Sequence, residues 1–303
     1  MNNNILVSVV IPCTDRTEGL LRCINSALEQ IIEDSIEIII VENNSHNKNV
    51  VSSLVFNLDD ERIKHVYMDI CDNANCARNY GISLSSGQYI AYLDSDDWWD
   101  KAHLESCLNC IKESNVKAIY SGCKLHDGLS VQEKKSRQIE DESAYSFLFG
   151  TNRGVAQTSS FFLDKSVFFS ASWDESLKRS QDYDFFVSVN NAHGWHYKED
   201  ITVNVYWEVG AIRSPSVSSF KGFYEKHSVE MTDDENARYL AEALKSLVLY
   251  SKNDFKELHQ VFKRYRSKIK LIDRVYLFNY ISAYYASHIK TCINKLKSLY
   301  KQG

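Results

Sequence analysis

Three aspartates in four positions, Asp94-Ser95-Asp96-Asp97, follow the apolar run Tyr89-Ile90-Ala91-Tyr92-Leu93. A strand that carries Asp-x-Asp to its carboxyl end presents hard oxygen ligands, suited to a Mg2+ or Mn2+ ion that neutralises a diphosphate. That end is also where open α/β sheets place their ligand crevice. Taken alone the residues are more often read another way, as solvated turn groups with Asp97-Trp98-Trp99-Asp100 opening the next helix. Two more segments weigh on the choice. One apolar run ends in Pro12-Cys13-Thr14-Asp15-Arg16 and another in Glu42-Asn43-Asn44-Ser45, so three strands deliver polar groups to one edge. Neither G-x-G-x-x-G nor G-x-x-x-x-G-K follows the first strand, which argues against a dehydrogenase or a P-loop enzyme.

The elements that position these groups alternate regularly. Hydrophobic spacing predicts strands over 5–11, 36–41, 63–67, 89–93 and 118–123, with helices over 18–30, 49–56, 76–85 and 101–114 between them. This βαβα rhythm predicts an α/β fold with a mostly parallel, doubly wound sheet. From His126 to Trp207 the pattern is less regular: a charged, turn-rich stretch over 133–142, an apolar segment over 145–149, a strand candidate over 157–163, a helix over 183–191 and alternation from Ile201 to Trp207. That composition suits an α+β half closing over the nucleotide half. After Val217 the pattern is helical, over 220–229, 235–250, 255–268 and 273–300. The expected organisation is a catalytic domain over 1–215, split at about 125, and a helical region over 216–303.

A chain of 303 residues with 44% hydrophobic and 25% charged residues is globular by composition. The amino terminus lacks a basic region before its short apolar run and reads as a strand, not a signal peptide. No apolar stretch reaches the roughly 20 residues that span a bilayer. The eight cysteines fall in core-like elements and read as reduced thiols of a cytoplasmic protein. Cys107-x-x-Cys110 has zinc-knuckle spacing without a second pair, inside a helical pattern, which argues against zinc. From Phe255 onward eleven Lys and Arg face two acidic residues, although the net charge is −5. The acidic body argues against nucleic acid, and the basic tail suits an anionic membrane surface.

The ordered blocks Glu42-Asn-Asn-Ser, Cys76-Ala77-Arg78-Asn79-Tyr80-Gly81, Ser86-Gly87 through Asp97-Trp98, and Gln181-Asp182-Tyr183-Asp184-Phe185 resemble the family-2 glycosyltransferases with the GT-A fold, of the DxD-containing, bacterial-polysaccharide type. The resemblance covers about 5 to 210. It implies an inverting, metal-dependent transferase that moves a sugar from a nucleotide donor, usually a UDP-sugar, to a saccharide acceptor. Pro12 and Thr14 then border the nucleotide, Glu42 reads the base, and Arg78 positions the donor. Asp94 and Ser95 lie near the ribose and diphosphate, and Asp96 holds Mn2+ or Mg2+. Asp182 matches the catalytic base, with Asp184 as the alternative, since a carboxylate must take the acceptor hydroxyl's proton as it attacks.

The chain departs from the family pattern in places. Gln181 stands where a glutamate is usual, and Tyr206-Trp207-Glu208-Val209 replaces a Tyr-Arg-x-His segment, removing a histidine contact to metal or phosphate. Arg213, Ser214 and Ser216 are candidates for diphosphate contacts from a loop. Trp98, Trp99, Trp173 and Trp195 are candidates for stacking on an acceptor sugar, Trp99 foremost. His196 reads as structural. The carboxyl-terminal helices suit a peripheral site on the inner face of the cytoplasmic membrane, with a lipid-linked acceptor, or a second subunit, or packing on the catalytic domain. A sugar nucleotidyltransferase and a non-catalytic nucleotide-sugar-binding subunit are the rival readings.

Overall fold

The computed structural model of the protein describes residues 5–14, 18–33, 35–69, 73–207, 217–248 and 260. In chain order its elements are β1 (Val7–Cys13), α1 (Glu18–Leu28), β2 (Ile36–Asn43), α2 (Lys48–Leu58), β3 (Ile63–Met68), α3 (Ala74–Leu84), β4 (Tyr89–Tyr92), β5 (Trp98–Trp99), α4 (His103–Ser114), β6 (Ala118–Ser121), β7 (Cys123–His126), β8 (Val131–Lys134), α5 (Ala144–Phe149), β9 (Phe162–Asp164), α6 (Gln181–His193), β10 (His196–Lys198), β11 (Val203–Tyr206), α7 (Val217–His227) and α8 (Asp233–Val248). Two sheets form, a large one in the order β10-β6-β9-β4-β1-β2-β3 and a small one in the order β5-β11-β7-β8.

Strands β1 and β2 are buried along their whole length. Their Val and Ile runs fit a sheet covered on both faces, where no polar alternation is tolerated. Pairing among β1, β2, β3 and β4 is parallel. Helix α3 packs close to β1 because Gly81 has no side chain: a Cβ there would sit 2.5 Å from Val10 Cγ1. The amino ends of the strands are closed by a satisfied network. Glu37, 1% exposed, accepts from Ser8 Oγ at 2.6 Å, from Ser86 N at 2.5 Å and from Lys64 Nζ at 2.5 Å. Burial pushes its carboxyl up, and the hydrogen bonds from Lys64, Ser8 and Ser86 outweigh that and hold it below its ordinary value.

Several expectations change in the structure. The strand expected over 157–163 is a 3-10 turn at Thr158–Ser160 followed by β9. Ser160 Oγ and the Phe161 amide bond back to Gln157 and Thr158, and this local closure outcompetes extension. Strand β9 then runs antiparallel to both β4 and β6, which leaves the large sheet mostly parallel, as expected. The strand expected over 118–123 splits at Gly122, where a Cβ would collide with the Lys134 carbonyl; β6 stays in the large sheet and β7 joins the small one. Asp97 caps no helix. It begins the crossing into β5, and α4 starts only at His103.

The cysteine expectation holds for five positions and fails at one. Cys13, Cys23, Cys107, Cys110 and Cys123 are free thiols, whereas Cys76 is disulfide-bonded. A disulfide needs two Cα atoms within about 7 Å, a distance that only folding sets.

Contacts divide the chain into two units, Met1–Leu148 with Asn152–Ala211, and Phe149–Thr151 with Ile212–Gly303. Within the second, Phe149 packs edge-on to Phe223 and Tyr239. Thr232 and Glu235 form a reciprocal capping box at the start of α8. The helices expected over 255–268 and 273–300, with the basic tail, lie outside the described residues. Among the described residues no helix is long and apolar enough to cross a membrane.

Candidate active site

The carboxyl ends of β1, β2 and β4, with the amino end of α3, enclose a pocket of about 330 Å3. Pro12, Thr14, Arg78, Asp94, Ser95 and Asp96 line it. Register explains the convergence: β1 and β2 pair in parallel up to Cys13 and Glu42, and Val10 of β1 lies beside Tyr92 of β4. Thr14 Oγ1 donates to the Asn43 carbonyl at 2.8 Å and ties two of the strand ends together.

The Asp94–Asp97 turn is held from both sides. Its own closing bond runs from Asp97 N to the Asp94 carbonyl, 2.9 Å. Arg22 of α1 donates to the Asp96 carbonyl at 2.8 Å while its guanidinium lies 3.9 Å over Trp98. Ser159 accepts from Asp94 N at 3.1 Å and donates to Asp97 Oδ2 at 2.6 Å. Asp97 Oδ1 accepts from Tyr206 N, so this buried carboxyl joins the turn to the small sheet. Burial, then the charges of Asp94 and Asp96, push Asp97 well above the usual carboxylate range.

Arg78 lies in α3, 5% exposed. It donates to Asp94 Oδ1 at 2.7 Å and to Asn75 Oδ1 at 3.1 Å, and stacks 4.4 Å over the Trp173 ring. Asp182 is the second residue of α6, one position beyond Gln181, which follows Ser180, whose left-handed backbone (φ 56°) costs a non-glycine residue about 1–2 kcal/mol. Its side chain keeps some solvent contact, yet its carboxyl is enclosed enough for burial to push it up to about 6. The Tyr183 amide and the Arg78 charge pull it down, and the Asp94 charge pushes it up. Asp182, Arg78 and Asp94 therefore share one electrostatic environment. Asp184, two residues on, is 1% exposed and belongs to the buried face of the helix.

Glu42 stands at its expected strand end but not on the pocket wall. It is fully buried, with Oε2 2.9 Å from His65 Nε2 and Oε1 without a partner. Asn43 and Asn44 line the pocket instead. Asn43 Nδ2 donates to the Asn73 carbonyl at 2.9 Å, which fixes the amide's orientation and leaves its Oδ1 as an unpartnered acceptor. Asn73 caps α3 by accepting from Asn75 N and Cys76 N, and the positive end of that helix dipole opens on the pocket. Asn43, Asn73, Asn75 and Trp173 were not singled out as donor-site residues from the sequence. The Glu42-Asn-Asn-Ser block contained the signal for the first, and the others depend on tertiary contact.

Tyr92 Oη interacts with Trp173, whereas among the described residues Glu42 Oε1, Asn43 Oδ1 and Arg78 Nε are buried without a hydrogen-bond partner, and Asn43 and Arg78 line the pocket. Such atoms are costly unless a ligand or water satisfies them. Asp94 and Asp96 offer carboxylate oxygens, a donor set that fits Mg2+ or Mn2+ completed by substrate phosphates. Among the described residues no three His, Cys, Asp or Glu side chains gather as a complete cage.

Three of the four tryptophan candidates are core residues. Trp99 donates to the Ser159 carbonyl, Trp173 stacks on Phe185 at 4.0 Å, and Trp195 stacks on Phe186 at 5.1 Å, each at most 5% exposed. Trp98 is half-buried between Arg22 and His126. His196 pairs with Ser114, as a structural histidine would. Asp15, Arg16, Glu208, Val209, Arg213, Ser214 and Ser216 lie outside the described residues.

The model of the glycosyl transferase family 2 domain matches residues 8–178, more than half of the chain. The chain belongs to glycosyl transferase family 2. It is similar to the putative colanic acid biosynthesis glycosyl transferase WcaA of Escherichia coli K12, 29% identical over 75% of this chain and 83% of that one. The amylovoran biosynthesis glycosyltransferase AmsB of Erwinia amylovora is 30% identical over 61% of this chain and 64% of its own length. Staphylococcus aureus TarS shares the fold: a fragment solved with UDP-GlcNAc has a TM-score of 0.60 at 14% identity, covering 92% of this chain and 80% of that one. The architecture is thus GT-A-like, and the protein is a glycosyltransferase.

Proposed function

We propose that the protein transfers a sugar from a UDP-sugar to a saccharide acceptor, with inversion at the anomeric carbon, in the assembly of a surface polysaccharide. The observation that carries this reading is that Asp182 lies within electrostatic reach of Arg78 and Asp94, which line a pocket together with Asp96, although Asp182 itself is not on that pocket's wall. The proposed base, a cation and a carboxylate pair suited to a metal are drawn from three separate parts of the chain: α6, α3 and the turn after β4.

The donor's nucleotide would enter between the ends of β1 and β2. Asn43 Oδ1 offers an acceptor to the imide N–H of uracil, with the Glu42–His65 pair behind it. Pro12 and Thr14 border the base and Asp94 and Ser95 the ribose. Arg78 and the amino end of α3 favour the diphosphate charge. Asp96 with Asp94 would hold Mn2+ or Mg2+, which when bound supplies charge stabilisation for the leaving UDP. Asp182 accepts the proton of the attacking hydroxyl, and its carboxyl, titrating at about 6, is ionised at neutral pH. Attack from that side with departure from the other inverts the anomeric centre.

The names of the relatives support a polysaccharide acceptor. WcaA and AmsB are named for colanic acid and amylovoran biosynthesis, and Escherichia coli WfaP, 30% identical over 38% of this chain, for glucosyl transfer to a diphosphoundecaprenol-linked sugar. A lipid-linked acceptor would bring the protein to the inner membrane surface, where its basic tail would find anionic headgroups. A thermal-shift panel of nucleotide sugars with and without Mn2+ tests the donor. Stabilisation by UDP and one or more UDP-sugars, strengthened by Mn2+, is expected; equal response to all nucleotides, or none, rejects the reading.

A further inference from the structure

Two asparagines of α3, with the asparagine that caps it, grip the segment that leads into the proposed base. Asn79 reads both sides of the Trp173 peptide, accepting from its N–H at 3.2 Å and donating to its carbonyl at 2.9 Å, and it also donates to Glu175 Oε1 at 2.9 Å. Asn75 Nδ2 donates to the Asp174 carbonyl at 2.6 Å, and Asn73 Nδ2 to the Glu175 carbonyl at 2.6 Å. These contacts span about a hundred residues of sequence, and they join α3, which carries Arg78, to the chain just before α6, which carries Asp182.

The connection continues in both directions. Toward the pocket, Asn75 Oδ1 accepts from Arg78 and the Asn73 carbonyl accepts from Asn43. Toward α6, the Leu177 amide bonds back to the Asp174 carbonyl, and Gln181 Nε2 donates to the Leu177 carbonyl at 2.8 Å. A second tie runs through rings: Arg78 lies over Trp173, and Trp173 stacks face to face on Phe185, three residues after Asp182. Asn suits this place because its short amide carries a donor and an acceptor side by side and can pair with a backbone peptide as a neighbouring strand would.

We propose that Asn79, with Asn75 as its partner, is a positioning residue for sugar transfer: it sets where Asp182 stands relative to the Arg78–Asp94 pair. The proposal rests on the reading of Asp182 as the base. The clasp does not touch donor or acceptor in this scheme. It holds two halves of the site in register, and a displacement of about 1 Å at a reacting group can cost on the order of a hundredfold in rate.

The test uses the full chain and the UDP-sugar that best stabilises the wild type, with UDP release as the rate. For Asn79→Ala and Asn79→Asp, kcat should fall about 10- to 100-fold, while UDP affinity in Mn2+ stays within about twofold of wild type. Glu175→Ala, which removes one exposed arm of the clasp, should lower kcat by a smaller factor, again with unchanged UDP affinity. Hydrogen exchange without nucleotide gives a second readout: amides over 173–182 should exchange faster in Asn79→Ala while those of β1, β2 and β4 keep their protection. Unchanged kcat, a loss of UDP affinity in step with kcat, or unchanged exchange over 173–182 would overturn the proposal. Failure of the underlying reading looks different, since Asp182→Asn would then retain turnover while the exchange result stands.

Discussion

Glu37 and Glu42 sit near opposite ends of β2, both buried, and their surroundings could hardly differ more. Glu37 has a donor for each oxygen, two serine-derived groups and a lysine, and its charge is stabilised below the ordinary carboxylate range. Glu42 has one histidine and an oxygen with no partner, and Asn43 Oδ1 and Arg78 Nε at the same edge also lack one. A sheet closes one edge with completed hydrogen bonds and leaves the other incomplete. The incomplete edge can recognise a ligand, because unpaired polar groups gain most from an incoming partner. The same division runs within one segment: Asp94 and Asp96 line the pocket, while Asp97 and Asp100 hold the small sheet, Asp100 through Lys124 at 2.7 Å and Asn204 at 2.9 Å.

The contrast yields expectations for each edge, the open one first. Asp182→Asn should lower transfer by roughly 10²–10⁴-fold with donor affinity preserved. In the wild type, kcat should rise with pH through about 6 as Asp182 loses its proton, and Asp182→Asn should abolish that limb. A pH profile that is flat between 5 and 7 would remove Asp182 from the rate-determining chemistry. Asp96→Asn should remove the Mn2+-dependent gain in UDP affinity measured by calorimetry, without changing affinity in EDTA; equal loss in both conditions would make it a nucleotide contact only.

At the closed edge the currency is stability. Glu37→Ala leaves Ser8, the Ser86 amide and Lys64 without their acceptor, and should cost about 2–4 kcal/mol in urea unfolding with UDP affinity unchanged. Because folding depresses the Glu37 pKa, its contribution is present above the unfolded value and is lost as pH falls through the folded one. Glu37→Gln should therefore flatten the loss of stability in acid. The smallest effect belongs to Asp97→Asn, which keeps an acceptor for the Tyr206 amide and matches a carboxyl that burial favours in its neutral form. Its melting temperature at pH 7 should stay near that of wild type; a large drop would mean that the charge itself holds the small sheet.

The parallel core was legible because β1, β2 and β4 are short apolar runs separated by amphipathic helices, a pattern few other folds satisfy. Three features escaped that reading. Strand β9 is too short to signal its direction, and it pairs antiparallel with β4. The break at Gly122 needed the neighbouring Lys134 carbonyl to explain it. Trp99, Trp173 and Trp195 look like sugar platforms by type, and only packing shows that they are core.

The amino-acid sequence by itself determined the sheet and the acids at its carboxyl edge, since strand period and chain direction decide where a strand's end must lie. It also contained the family blocks that carry Arg78 and Asp182. Only the tertiary structure decided which polar groups would find partners: it buried Glu42 against His65, set the buried Asn43 into the pocket wall, gave Asp97 to the small sheet and brought three asparagines to Trp173–Glu175. The physical reason is that secondary structure follows from short-range pattern, whereas hydrogen-bond satisfaction is a property of groups that meet across a hundred residues of chain.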